Sequence, residues 1–174
     1  MGFYLNVFDF LKDLEPKVLF ISLVGGILPA LLWLWFWLRE DKLHPEPRKL
    51  LFIAFIAGMV SVLFALQLEK LAESFLKDAT LILISWVVIE EILKFIAAYF
   101  AGLDQKDCDE PLDPLIYLIT AALGFSAAEN CLFLLSSVDE SLVSGILTGN
   151  LRFIGASLLH VLSSGVLGLF MALA

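Results

Sequence analysis

An all-α membrane bundle of about five transmembrane helices, preceded by a short helix on the membrane surface, is the fold this sequence predicts. Three observations predict it. Of the 174 residues 60% are hydrophobic, and the mean hydropathy is +0.93; a soluble domain of this size cannot hide that much apolar surface. The apolar residues fall into runs near 18–38, 50–68, 79–101, 114–135 and 151–174, each close to the roughly 20 residues that cross a bilayer as a helix. Between the runs stand proline-rich or acidic stretches that end helices. One integral-membrane domain over residues 1–174 accounts for the whole pattern.

Each element has its own signal. Phe3 to Leu14 mixes Phe, Leu and Val with Asn6, Asp9, Lys12 and Asp13, the composition of an interfacial amphipathic helix. The first span, Val18 to Leu38, carries Gly25 and Gly26 for close packing and ends in a Trp33, Trp35 and Trp37 cluster suited to the interface. Pro45 and Pro47 make the following stretch a loop. The second span, Leu50 to Leu68, packs through Ala57 and Gly58, and Glu69 to Asp78 reads as a polar connection or a helical extension. The third run, Ala79 to Ala101, leads to an acidic loop over Gly102–Asp113. Pro114 opens the fourth span in the first-turn position that proline tolerates, with Asp113 as its expected N-cap. Ser136 to Asn150, with an Asp139–Glu140 loop, reads as a short re-entrant or interfacial helix before the last span.

The net charge of -8 argues against nucleic acid, whose phosphates need basic patches. Cys108 lies in a loop and Cys131 in a span, so no disulfide is expected between them. Met1 to Val7 shows neither a basic leader nor a small-residue cleavage site, and Asn6 stands where a lipidation signal needs Ser or Thr. Arg39, Lys42, Arg48 and Lys49 place the first loop in the cytoplasm by the Lys/Arg bias. The surrounding lipid bilayer is the expected environment, in the cell membrane.

The third run is the one around which the chain is organised. Glu90, Glu91 and Lys94 sit mid-run, at a cost of roughly 8–10 kcal/mol, while its apolar residues return roughly 4–7 kcal/mol. That helix needs partner helices or a wet cavity. Spacings of i, i+4 and i, i+3 let both carboxylates reach the same ammonium. Glu129 and Asn130 stand at similar depth one span later, after the small residues Gly124 to Ala128. His160 shares a stripe with Ser157 and Ser164, and Arg152 lies two turns before it. A structural ion pair locking helices, or interhelical hydrogen-bond glue, would explain any one of these. Ionisable groups at matching depth on three spans point instead to one shared site. Desolvated carboxylates, a Lys, an Asn and a His form a water-activating constellation. No His-Glu-x-x-His pair, Gly-x-Ser-x-Gly elbow or Gly-Asp motif is present.

The set Glu90-Glu91-x-x-Lys94, Asp113-x-x-x-Tyr117, Gly124 to Asn130, and Arg152 followed by His160 and Gly168 resembles the PrsW family of intramembrane proteases, related to the glutamate-dependent CAAX prenyl endopeptidases. The Asp41-x-x-x-Pro-Glu46-Pro47 loop adds to the resemblance, which covers most of the chain after the first span. It implies cleavage of a membrane-anchored protein, in the best-known members a single-pass anti-sigma factor. Family chains usually continue with further helices past the last span, so Ala174 leaves a shortened chain and a minimal member both open.

The function expected is therefore peptide hydrolysis within or at the edge of the bilayer. Glu90 or Glu91 is the base, Lys94 tunes it, and Glu129, Asn130 and His160 position water or the oxyanion. Arg152 is either an interfacial flank or an anchor for the substrate. No cofactor is favoured; a zinc held by Glu91, Glu129 and His160 with an open position is the alternative. A proton- or cation-coupled transporter and a non-catalytic scaffold are the rival functions.

Overall fold

The computed structural model of the chain describes residues 15–39, 45–106, 108–140 and 142–173. The expected surface helix and Asp41 of the first loop lie outside them. Among the described residues every element is helical: α1 (Pro16–Trp37), α2 (Arg48–Phe75), α3 (Ala79–Ala98), α4 (Asp113–Glu140), α5 (Leu142–Leu151) and α6 (Ser157–Ala172). One π-helical turn, Tyr99–Leu103, extends α3, and a second, Arg152–Ala156, joins α5 to α6. By length and composition α1, α2 and the first 23 residues of α4 are able to cross a membrane. The 20-residue α3 carries Glu90, Glu91 and Lys94, and α6 has 16 residues.

Several boundaries differ from expectation, each for a local reason. Glu69 to Phe75 continues α2, because Glu, Lys, Leu and Ala are good helix formers and none breaks the pattern. Only Leu76–Lys77–Asp78 interrupts the backbone, and Asp78 caps α3 by accepting from the Leu81 N–H at 3.0 Å. Asp113 does not cap α4 as expected. Its carboxylate turns back to accept the N–H groups of Asp109 and Glu110 at 2.9 and 2.7 Å, holding the preceding turn instead. Asp139 and Glu140 belong to α4 rather than to a loop. The re-entrant segment and the last span are one helical run from Leu142 to Ala172, with the π turn as its only irregularity.

Helix α4 is the axis of the bundle, in contact with α1, α2, α3, α5 and α6. Its stretch from Tyr117 to Ala127 is buried residue by residue, as expected for a helix that is apolar or small on every side. Glycines set the approach distances. A Cβ on Gly58 of α2 would run into the backbone of Ala121, and one on Gly124 of α4 into the backbone of Phe55. This reciprocal contact brings α2 and α4 together without side chains between them, the small-residue packing membrane helices use. Gly26 of α1 meets Cys131, and Gly168 of α6 meets Leu115, in the same manner. Gly124→Val is accordingly expected to lower stability by about 1–3 kcal/mol through overpacking against backbone, measured by unfolding in detergent micelles beside the wild type.

The outward faces of α1, α2, α3 and α6 expose Phe20, Leu28, Phe52, Leu63, Val87 and Phe170. Such a continuous apolar exterior suits lipid rather than water.

Candidate functional site

Three packing registers bring the polar residues to one level. Ala97 and Ala98 of α3 pack with Leu118 and Ala121 of α4, and Leu93 and Ile89 pack with Phe125 and Ala128. Continuing this antiparallel pairing sets Glu90 beside Glu129. On the other side of α4, Gly168 meets Leu115 and Gly165 approaches Ile119, so His160 arrives opposite Phe125 and Glu129. The interhelical distances follow from these registers.

The Lys94 ammonium is the centre. The residue is only 1% exposed, and its Nζ donates to Glu91 Oε1 at 2.7 Å, to Glu90 Oε2 at 3.3 Å and to His160 Nδ1 at 2.7 Å. It also lies 4.7 Å from the Phe125 ring centroid, a cation–π contact that helps offset its desolvation. An ammonium has no acceptor, so His160 Nδ1 must accept and the ring hydrogen sits on Nε2. Nε2–H then points to Glu129 Oε2 at 3.0 Å.

The carboxylates are spent unequally. Glu91 accepts from Lys94 and Ser163 at Oε1 and from Ser164 at Oε2, at 2.7, 2.8 and 2.8 Å. Glu129 Oε2 receives Arg152 Nη2 at 2.5 Å as well as His160. Glu90 holds only the longer Lys94 contact and a 3.6 Å approach to His160 Nδ1. Lys94 is sealed in, whereas Glu90, Glu91 and Glu129 keep 20%, 23% and 21% side-chain exposure. The cation is thus core and the carboxylates stay partly exposed around it.

Asn130 is saturated too. Its Nδ2 donates to Ser126 Oγ and Ser157 Oγ at 3.3 and 3.0 Å, and its Oδ1 accepts from Arg152 Nε at 2.5 Å. With no donor left over, Asn130 is not free to face an oxyanion, contrary to expectation; it fixes Arg152. The guanidinium, stacked 3.9 Å from the Phe133 centroid, has five N–H groups, of which these two contacts use two. Arg152 opens the π turn, a local irregularity often found at functional sites. It is therefore a member of the polar cluster, not an interfacial flank.

The structure brings together all seven residues singled out from the sequence: Glu90, Glu91, Lys94, Glu129, Asn130, Arg152 and His160. Glu69 was missed. It lies within electrostatic reach of Glu90, Glu129 and Lys94. The signal was a stripe on α2, where Val62, Ala65 and Leu66 pack on α3 and α4 and Glu69 follows one turn later. Glu46, Asp113 and Tyr117 form a separate cluster. The Tyr117 hydroxyl donates to the buried Glu46 carboxylate, and Asp113 lies about 24 Å along α4 from Glu129 at 1.5 Å per residue. Burial, and then the Asp113, Glu46 and Asp109 carboxylates, push the neighbouring Cys108 thiol up.

A family model described as PrsW family intramembrane metalloprotease matches residues 46–174. Protease PrsW of Geobacillus kaustophilus is 27% identical over 132 residues, covering 72% of this chain and 57% of that protein. Protease PrsW of Clostridioides difficile is 32% identical over 118 residues, covering 64% and 49%. Protease PrsW of Bacillus subtilis is 24% identical over 133 residues, covering 74% and 61%. The chain spans roughly half the length of these curated relatives. No solved structure matches.

The family description implies a metal, and the donor set does not fit one. No group of three His, Cys, Asp or Glu side chains among the described residues is arranged to hold an ion. Of the zinc trio expected from the sequence, Glu129 and His160 adjoin, but the Lys94 ammonium stands between His160 and Glu91. A cation already occupies the point where the ligands would converge.

Proposed function

The chain belongs to the PrsW family, and from that premise we propose that it is an intramembrane endopeptidase, cutting a membrane-anchored protein with water activated by Glu90. The observation that carries this reading is the unequal commitment of the carboxylates. Glu91 takes donors on both oxygens and Glu129 takes two on Oε2, and lone pairs so engaged are less free to take a proton from water. Glu90 has the longest contacts of the three, at 3.3 and 3.6 Å, and stays partly exposed.

In this mechanism Glu90 takes a proton from water as the water oxygen attacks the carbonyl carbon. The uncommitted N–H groups of Arg152 receive the developing oxyanion. Collapse breaks the C–N bond, and Glu90 returns the proton to the leaving amine. Lys94 holds the two adjacent glutamates in place, His160 spans Lys94 and Glu129, and Glu129 with Asn130 aims Arg152. A single-pass signalling protein of the cell membrane, such as an anti-sigma factor, is the substrate class the family suggests. Family membership favours this over a transporter or a scaffold.

The full chain reconstituted with a synthetic single-pass helix is expected to cut it, and the activity is expected to survive prolonged chelation. Zinc bound one per chain, lost together with activity and restored with it, would show that the ammonium-centred arrangement is not the working one.

A further inference from the structure

A peptide bond in a transmembrane helix is hidden by its own hydrogen bonds. To be cut, the helix must unwind locally, and inside a bilayer the freed N–H and C=O groups tolerate no unpaired exposure. A protease working at that depth has to supply partners beside its reacting groups. The cluster around Lys94 has few left to give, since most of its donors are engaged with one another.

One donor nearby is unengaged. The indole Nε1–H of Trp86 is buried and has no hydrogen-bond partner. Trp86 stands one helical turn before Glu90 on α3, at i−4, and so on the same face. The α2–α3 hairpin fixes its level. Leu66 and Ile89 pack in one cluster, and three residues toward the Leu76–Asp78 link from each lie Glu69 and Trp86. Glu69 is half-buried and within reach of Glu90 and Glu129 electrostatically. By this register the residues that carry an unpaired indole donor and a carboxylate acceptor stand at one level, a helical turn from Glu90. A buried donor without a partner costs about 1–3 kcal/mol, so one kept beside a reactive carboxylate asks for an acceptor from outside the protein.

Building on the protease reading above, we propose that Trp86 is a substrate-binding residue whose indole N–H donates to a backbone carbonyl of the unwound substrate next to the scissile bond. Glu69 supplies the complementary acceptor for a substrate N–H at the same level. Together they hold an extended stretch of two or three residues in front of Glu90.

Trp86→Phe tests this, because it keeps an aromatic ring and removes the N–H. The probe is a synthetic alanine–leucine helix of roughly 20 residues with a central glycine pair and lysine flanks, incubated with the full chain in bilayers. Loss of one binding hydrogen bond is expected to raise KM about tenfold, with thermal stability unchanged or slightly higher. In the wild type, the Trp86 indole resonance, assigned by its absence from the variant, is expected to move downfield when the probe is added. If the wild type cuts the probe and Trp86→Phe cuts it with unaltered KM, Trp86 is not a binding residue although the protease reading stands. Trp86 is equally ruled out as a binding residue if the variant only loses stability and the indole resonance ignores the probe. If the wild type leaves the probe intact, the protease reading fails and this inference falls with it.

Discussion

Lys94→Met is expected to remove all hydrolysis and to destabilise the fold by about 3–5 kcal/mol, the cost of stripping one partner from a buried charge cluster. Lys94 is 1% exposed and gives its ammonium to Glu90, Glu91 and His160. Methionine fills much of the same volume, so a cavity contributes little. What remains is two adjacent carboxylates at mid-membrane depth with no cation between them, and an imidazole Nδ1 without its donor. Like charges so placed repel, and neutralising one by protonation is the only relief. Chemical unfolding in micelles measures the loss, with Lys94→Arg as the comparison. Arginine keeps the charge but not the compact shape of the ammonium, so it should recover part of the stability and little of the activity.

Much of this arrangement was legible in the residues themselves. The five hydrophobic runs, the insertion cost of Glu90, Glu91 and Lys94, and the polar stripe of Ser157, His160 and Ser164 need no structure to be seen. Their convergence follows from energetics, since short charged side chains at mid-depth have no neighbour but one another. Three features were not legible. The division of labour between Glu90 and Glu91 depends on Ser163 and Ser164 of α6, some seventy positions away, filling one carboxylate only. The commitment of Asn130 to Arg152 depends on the π turn at Arg152–Ala156, for which sequence carries no dependable signal. Glu69 looked like the end of a span because its own helix is polar from that point on; only the packing of α2 against α3 turns it inward. Asp113 shows the same limit in small, since a capping residue serves the helix after it or the turn before it, and tertiary packing decides.

Glu90→Gln is the second large effect, of a different kind. The amide is nearly isosteric, Glu90 makes the weakest of the Lys94 contacts at 3.3 Å, and Lys94 keeps Glu91 and His160. The fold should therefore persist, whereas the capacity to take a proton from water is gone. General-base catalysis contributes about 10²–10⁴-fold, so turnover should fall by that much at unchanged stability. Glu91→Gln behaves otherwise: the buried Lys94 ammonium loses its charged acceptor at 2.7 Å, and Ser164, now facing an amide nitrogen, must accept instead of donate, so stability falls along with activity. The decisive measurement is the cleavage rate of one single-pass helix by wild type and Glu90→Gln at equal folded fractions, with products mapped by mass spectrometry. The account predicts a cut within or at the edge of the membrane segment by the wild type, and almost none by the variant. Cleavage of the same bond by Glu90→Gln at the wild-type rate would contradict it.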